Sequence, residues 1–293
     1  SLTTPGLLVV RALRGGEPLL SVGAFDRASR LGAQHLEAPE PRPAIVGRGS
    51  GGIPVHFDLD SLWIGLAMES TTAFTDATPA TLVNRHVRPL LRALAREKVP
   101  ASYGGRDWIA SVKTPVAWVG FQHDARTQRA AFEAVVALRK PFASAERVAF
   151  LGKTPLALDA VAGRTVDPLV LRNSVIEAYI SAFSALPEER AVESMRTQSD
   201  RSADDPPFSA VVSEAIGIVG AGPTKQGYVG VGGEFAGSRD AVAAFNYRLT
   251  QIDWRDAAAL DEAISEAFDH PNMVIDGVRT LSSFKDVILR SAT

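Results

Sequence analysis

Residues Gly47-Arg48-Gly49-Ser50-Gly51-Gly52 stand between two apolar runs, Ala44-Ile45-Val46 and Leu62-Trp63-Ile64-Gly65-Leu66-Ala67-Met68. Glycine loses more conformational freedom on folding than any other residue, so a cluster of it between buried strands requires a close approach of backbone to something. That something is either a neighbouring chain segment, as in a tight hairpin, or an anionic ligand cradled by bare N–H groups. Arg48 adds a permanent cation with a forked set of donors beside the loop. The fold must therefore place a strand, a glycine loop and a second strand next to one another, with Arg48 at their junction.

The other segments are strand-like and short in the first half. Leu7–Leu13 and Leu19–Phe25 flank the turn signal Arg14-Gly15-Gly16-Glu17-Pro18, and Trp108–Val112 and Val116–Phe121 flank Thr114-Pro115, read here as a hairpin connection. Ala130–Leu138 fits either a buried strand or a helix. Helical spacing is clear over Thr81–Lys98, where Val83, Val87, Leu90, Leu91 and Leu94 form a stripe with Pro89 inside it, and again over Leu169–Leu186. Ser199–Pro207 is polar, charged and ends in two prolines, as a linker would. Beyond it, Glu214–Val219 and Tyr228–Phe235 read as strands joined through Gly220-Ala221-Gly222-Pro223. Helices follow, capped by Ser238 and Asp253, with a last one through Leu281, Phe284, Val287 and Ile288. The expected architecture is α+β: a mixed sheet with packed helices over residues 1–200, and a small α+β unit over 208–293.

Composition excludes several classes. A net charge of −2 gives no footprint for nucleic acid, and no apolar run is long enough for a membrane span. No signal-peptide pattern opens the sequence, so a cytoplasmic location is expected. The absence of cysteine removes disulfides, thiolate metal sites and a cysteine nucleophile together. His123-Asp124 are neighbours on one predicted strand and face opposite ways, whereas His56 and Asp58 share a face near the glycine loop. No HExxH, Walker or G-x-S-x-G pattern occurs.

Arg48-Gly49-Ser50-Gly51-Gly52-Ile53-Pro54-Val55 resembles the R-R-x-S-G-G-G-x-V-x-H-D motif of lipoate–protein ligases, within the wider biotin/lipoate ligase fold. Leu20–Phe25 looks like that family's V-V-I-G-x-x-Q strand. Arg106-Asp107-Trp108-Ile109 followed by Val116-Ala117-Trp118-Val119-Gly120 looks like N-D-(I/L)-x-V-x-G-x-K-(I/V)-(A/S)-G. Ala215–Val219 and Val231–Phe235 are similar to the accessory-domain pattern G-x-I-x-x-v-x-i-x-G-D-F. The resemblance spans roughly residues 7–150 and 208–270.

The resemblance implies an enzyme that activates lipoate, or a related acyl acid, with ATP and Mg, and passes the acyl group from the adenylate to a lysine of a lipoyl-domain acceptor protein. It places Arg48, Ser50, Gly51, Gly52, Val55, His56, Asp107, Val116, Ala117 and Trp118 around the adenylate and its acyl group. Val22, Trp63, Trp118 or Val119 would line an apolar slot for the tail, ordinary core being the plainer account of these side chains. The departures are specific. The paired arginine is Gly47-Arg48, the third glycine is Ile53, the histidine position is Phe57 with His56 one place early, and the motif lysine is Pro115. Lys113, two residues upstream, is the stand-in for the catalytic lysine if the segment stays extended. The alternative is a degenerate ligase-fold protein that binds a lipoyl-like ligand or a partner without catalysis. Pro115 and the lost arginine favour that alternative, and the Ser-Gly-Gly loop and the accessory unit favour the enzyme.

Overall fold

The computed structural model describes residues 6–13, 18–27, 29–31, 43–57, 60–144, 149–184, 205–270 and 272–291. Arg14–Glu17, Asp58 and the linker segment Ser199–Asp204 lie outside them. The strands of the first half are β1 (Gly6–Leu13), β2 (Leu19–Val22), β3 (Ala44–Gly47), β4 (Val55–Phe57), β5 (Ser61–Met68), β6 (Ser102–Tyr103), β7 (Trp108–Ser111), β8 (Thr114–His123) and β9 (Ala130–Ala137). Helix α1 (Leu82–Arg96) precedes β6, and α2 (Leu158–Ala162) and α3 (Pro168–Phe183) follow β9. The C-terminal unit comprises β10 (Ala210–Ser213), β11 (Ile218–Pro223), β12 (Val229–Gly233), β13 (Ala236–Ser238), α4 (Arg239–Leu249), α5 (Ala257–Phe268), β14 (Ile275–Asp276) and α6 (Ser282–Ser291). This is an α+β protein.

An eight-stranded mixed sheet organises the molecule, in the order β1-β5-β9-β8-β13-β14, with β7 also beside β8 and β6 beside β7. Ala130–Ala137 resolves as strand, fully paired with β5 from Met68↔Ala130 to Ser61↔Ala137. Side chains alternate across this sheet. Ala117, Val119 and Phe121 of β8, with Phe132, Ala134 and Val136 of β9, join the core under α1 and α3. Trp118 of β8, with Val135 and Ala137 of β9, faces the opposite side and packs with Ile53, Val55, Phe57, Phe142 and Phe150.

Two turns differ from expectation. The β7–β8 hairpin turns at Val112-Lys113, both with positive φ (48° and 68°), so Thr114 and Pro115 already belong to β8. In the C-terminal unit Gly220–Pro223 is strand, because Gly220 accommodates the Phe208 ring; the chain turns later, between β11 and β12. The cap of α5 is Asp256, whose carboxylate accepts from the Ala258 N–H, in place of Asp253.

The glycine loop is not a hairpin. Strand β2 is flanked by β3 in parallel and β4 antiparallel, so residues 48–54 cross the end of β2 and lie on the large sheet. The C-terminal unit closes over them. Strand β13 pairs in parallel with β8 (Gly237↔Gln122, Ser238↔His123), and the Gly233 N–H donates to the Phe25 carbonyl at 2.8 Å. Arg27 donates to the carbonyls of Pro206, Pro223, Gly222 and Gly230 with its guanidinium 4.4 Å from the Phe208 ring centre. Arg30 bridges Asp26 and Glu234.

Candidate functional site

The Arg48 side chain is buried and holds the loop in shape. Its Nη1 donates to the Ser21 carbonyl at 2.8 Å, and Nη2 donates to those of Gly51 at 3.1 Å and Ile53 at 2.7 Å. The guanidinium lies 4.3 Å from the Trp118 ring centre, a desolvated cation–π contact. Burial lowers its pKa to about 10, against the opposing pull of Glu133. Arg48 is thus largely consumed in organising backbone; among its donors only Nε, buried, has no hydrogen-bond partner.

The loop's amides are engaged in a similar way. The Gly51 N–H donates to the Phe121 carbonyl at 3.3 Å, and the Gly52 N–H to that of Phe235 at 2.9 Å. The two amides expected to cradle an anion therefore hold the loop to β8 and to the C-terminal unit. The glycines serve close approach: a Cβ on Gly51 would overlap the Phe235 carbonyl, and Gly52 has φ +103°.

Beneath the loop, the alternation of β8 presents Trp118, Gly120 and Gln122, and β9 presents Glu133. Ser50 Oγ donates to Glu133 Oε2 at 2.7 Å. Burial raises the Glu133 pKa, while Ser50 and Arg48 oppose that rise. Trp118 Nε1 is a buried donor without a partner. Asp107 is tied to the same strand by its carbonyl, which accepts from the Val119 N–H at 2.9 Å. Its Oδ2 is buried without a partner, and burial, with a contribution from Asp276, raises its pKa to about 7.

The structure brings together Arg48, Ser50, Gly51, Gly52 and Trp118, with Asp107 one strand away. Val55 packs in the same apolar cluster. Val116 and Ala117 instead join the core under the helices, because a register shift in the β7–β8 pair and the strand alternation turn them away. His56 makes reciprocal backbone bonds to Ala143 and lies on the opposite side of β4 from Val55. Lys113 is exposed at the hairpin tip, five residues or roughly 16 Å of extended chain from Trp118. The chain reverses at Val112-Lys113, so the extended geometry that would have returned Lys113 to the loop does not occur.

Of the residues expected to line an acyl slot, Val22 belongs to the small core under β2, Val119 faces the helices, and Trp63 and Trp118 pack on the loop face. A cavity of about 510 Å³ lies elsewhere, bounded by Leu13, Asp60, Leu138 and Leu169. Glu133 was legible as the one charge inside the apolar run Ala130–Leu138, a signal that only gains meaning once that run is a strand. His123 is buried with Nδ1 3.2 Å from Ser238 Oγ, while Asp124 accepts from the Arg126 and Thr127 N–H groups, so the two neighbours share no site. No cluster of three metal-ligating side chains occurs among the described residues, and no helix among them is long and apolar enough to cross a membrane.

No protein-family model matches the sequence, and no curated protein matches it at a significant level. Solved structures do match. P. falciparum LipL1, in complex with lipoate, is 10% identical and aligns over 97% of this chain and 87% of its own, with a TM-score of 0.60. A bipartite lipoate protein ligase from Thermoplasma acidophilum, described with its E2 lipoyl domain, is 14% identical over 64% of this chain and 75% of its own, at a TM-score of 0.45. Biotin protein ligase from Aquifex aeolicus is 10% identical over 57% and 67%, at 0.33. The likeness to LipL1 is of a degree that establishes architecture, and it extends across nearly the whole chain. By its architecture, this chain shares the fold of lipoate-bound LipL1.

Proposed function

We propose that the protein activates lipoate, or a related acyl acid, with ATP and Mg to an acyl-adenylate on the glycine-loop face, and transfers the acyl group to a lysine of a lipoyl-domain acceptor. One observation carries this proposal: the loop, held by Arg48, Ser50 and Glu133, closes over orphaned buried donors in a chain whose fold parallels that of a lipoate-bound protein. Arg48 Nε and Trp118 Nε1 are the groups left to meet an acyl carbonyl or phosphate oxygen, in the role that a motif lysine would otherwise fill. Asp107, with its pKa near neutrality, is suited to accept the proton of the attacking amine. Entry of an adenylate requires the loop to part from Phe235, since the Gly52 amide is bonded there.

The second reading, a ligase-fold protein that binds without catalysis, is favoured by Pro115 at the lysine position and by the engaged amides of Gly51 and Gly52. Mass spectrometry after incubation with lipoate, ATP and Mg separates the two. A lipoyl-AMP signal, reduced at least about tenfold in Trp118→Phe, which removes the indole N–H and keeps an aromatic ring beneath Arg48, supports activation. Absence of any adenylate with lipoate, octanoate or biotin overturns it, and calorimetric binding of those acids then decides for the second reading.

A further inference from the structure

The tip of the β7–β8 hairpin and the segment after β9 form a surface that nothing described so far uses. Leu156 N–H donates to the Pro115 carbonyl at 2.9 Å, and Lys153 Nζ donates to the Lys113 carbonyl at 3.0 Å, which lays residues 150–156 along the hairpin. Three large apolar side chains are exposed there: Val112 at 81%, Leu151 at 55% and Leu156 at 41%. Residues 112–115 and 150–156 carry two lysines and no carboxylate. Both turns hold side-chain-bearing residues at positive φ, at Val112 (48°) and Lys113 (68°), and at Phe150 (53°) and Leu151 (55°). That conformation is costly for a β-branched valine. The same turn places Val112 outward, where it contributes nothing to the core. Phe150, by contrast, is buried in the apolar cluster of the loop face, so the platform is anchored to the floor of the candidate site.

We infer that this platform is where the acceptor protein docks, through an apolar contact on Val112, Leu151 and Leu156 framed by pairs from Lys113 and Lys153 to carboxylates of the partner. The inference rests on the acyl-transfer function proposed above, and it names the partner's chemistry as a folded domain with an acidic face. Two arguments select that occupant. The charges on the platform are all positive, and pairs of opposite sign at the edge of a contact set its register and speed encounter. The platform, at Lys113, also stands about 16 Å of extended chain from Trp118, the span of some five residues, so a domain seated on it can reach the loop with one of its own turns.

The left-handed turn makes the test clean. Two positive-φ residues in a two-residue hairpin favour Asn or Asp at the first position, and Asp also tolerates the conformation of Leu151. Val112→Asp and Leu151→Asp should therefore fold as well as the natural chain while cancelling the two positive charges of the platform, with Val112→Asn as the uncharged control and Val112→Lys as the opposite charge. The measurement is the calorimetric Kd of the full chain for a purified, unmodified lipoyl domain with a net-negative surface, alongside lipoyl-AMP formation without acceptor. The expected result is a rise in Kd of at least about tenfold for the Val112→Asp/Leu151→Asp pair, a smaller rise for Val112→Asn that persists in salt because the apolar contact is lost, and tighter binding by Val112→Lys than by Val112→Asn, with the charge-dependent differences erased by added salt. Unchanged Kd across the series, no binding by the natural chain, or a change confined to self-association of the chain would each overturn the proposal. Charge-sensitive binding without adenylate would leave the platform standing and remove the activation chemistry.

Discussion

Replacing His86 by leucine is expected to stabilise the protein, and more strongly as the pH falls. His86 lies on α1, fully buried, with neither ring nitrogen hydrogen-bonded. Its neighbours are the rings of Phe183 at 5.3 Å and Phe132 at 6.3 Å, and the Tyr179 hydroxyl bonds only its backbone carbonyl, at 2.7 Å. Burial lowers its pKa from 6.5 to about 4. A base whose folded pKa is lowered is protonated first in the unfolded chain, so its contribution is fully favourable above pH 6.5 and is lost as pH falls towards 4. At pH 5 this linkage costs the natural protein about 2 kcal/mol relative to pH 7.5, and it approaches about 3 kcal/mol below pH 4. Leucine removes that term, and at neutral pH it also removes two unsatisfied polar atoms, worth about 1–2 kcal/mol. Urea unfolding of both proteins at pH 7.5, 6 and 5 would show a stability gap that widens on acidification. Parallel pH profiles, or a gap that narrows, would mean that His86 is solvated or partnered in solution.

Arg48→Ala should destabilise the chain by roughly 3 kcal/mol or more, because the carbonyls of Ser21, Gly51 and Ile53 lose their donor inside the fold; urea unfolding reads this directly. Gly51→Ala should loosen the contact between the loop and the C-terminal unit, since its Cβ meets the Phe235 carbonyl, and faster limited proteolysis of the C-terminal unit would report it. Asp107 has a raised folded pKa, so its stabilising proton is lost as pH rises from 3.8 through about 7. Asp107→Asn should therefore gain stability over the natural protein at alkaline pH, by up to roughly 4 kcal/mol, and little at pH 4, as followed by thermal melts.

Much of this fold was legible because its strands are short apolar runs bounded by glycine, proline or polar residues, and because helix α1 carries an apolar stripe. Two places were not, for reasons that lie in the residues. Thr114-Pro115 looks like a turn because proline lacks an amide, yet Val112-Lys113 makes the turn in a conformation that neither residue favours alone. Gly220–Pro223 has turn composition, but its glycines make room for Phe208 in a strand. In the candidate site, the loop named by the motif lies against Trp118. It did not foresee that Arg48 and the glycine amides would be spent on the protein itself, because sequence spacing says which groups are near and not which are already bonded. Glu133 and Gln122 enter the site from strands far along the chain, and their presence follows only from register.

The insertion of β13 beside β8 has a consequence for how the molecule is made. The upper half of β8 is bordered on one side by a strand that leaves the ribosome more than a hundred residues later. Until then the edge at Gln122 and His123 is open, with unpaired backbone groups of the kind that template pairing between chains. Contacts so distant in sequence close slowly. A chain stopped short of Ala236 should accordingly be prone to aggregate even though every strand from β1 to β9 is present, and the C-terminal unit acts as the last step of the sheet's own folding.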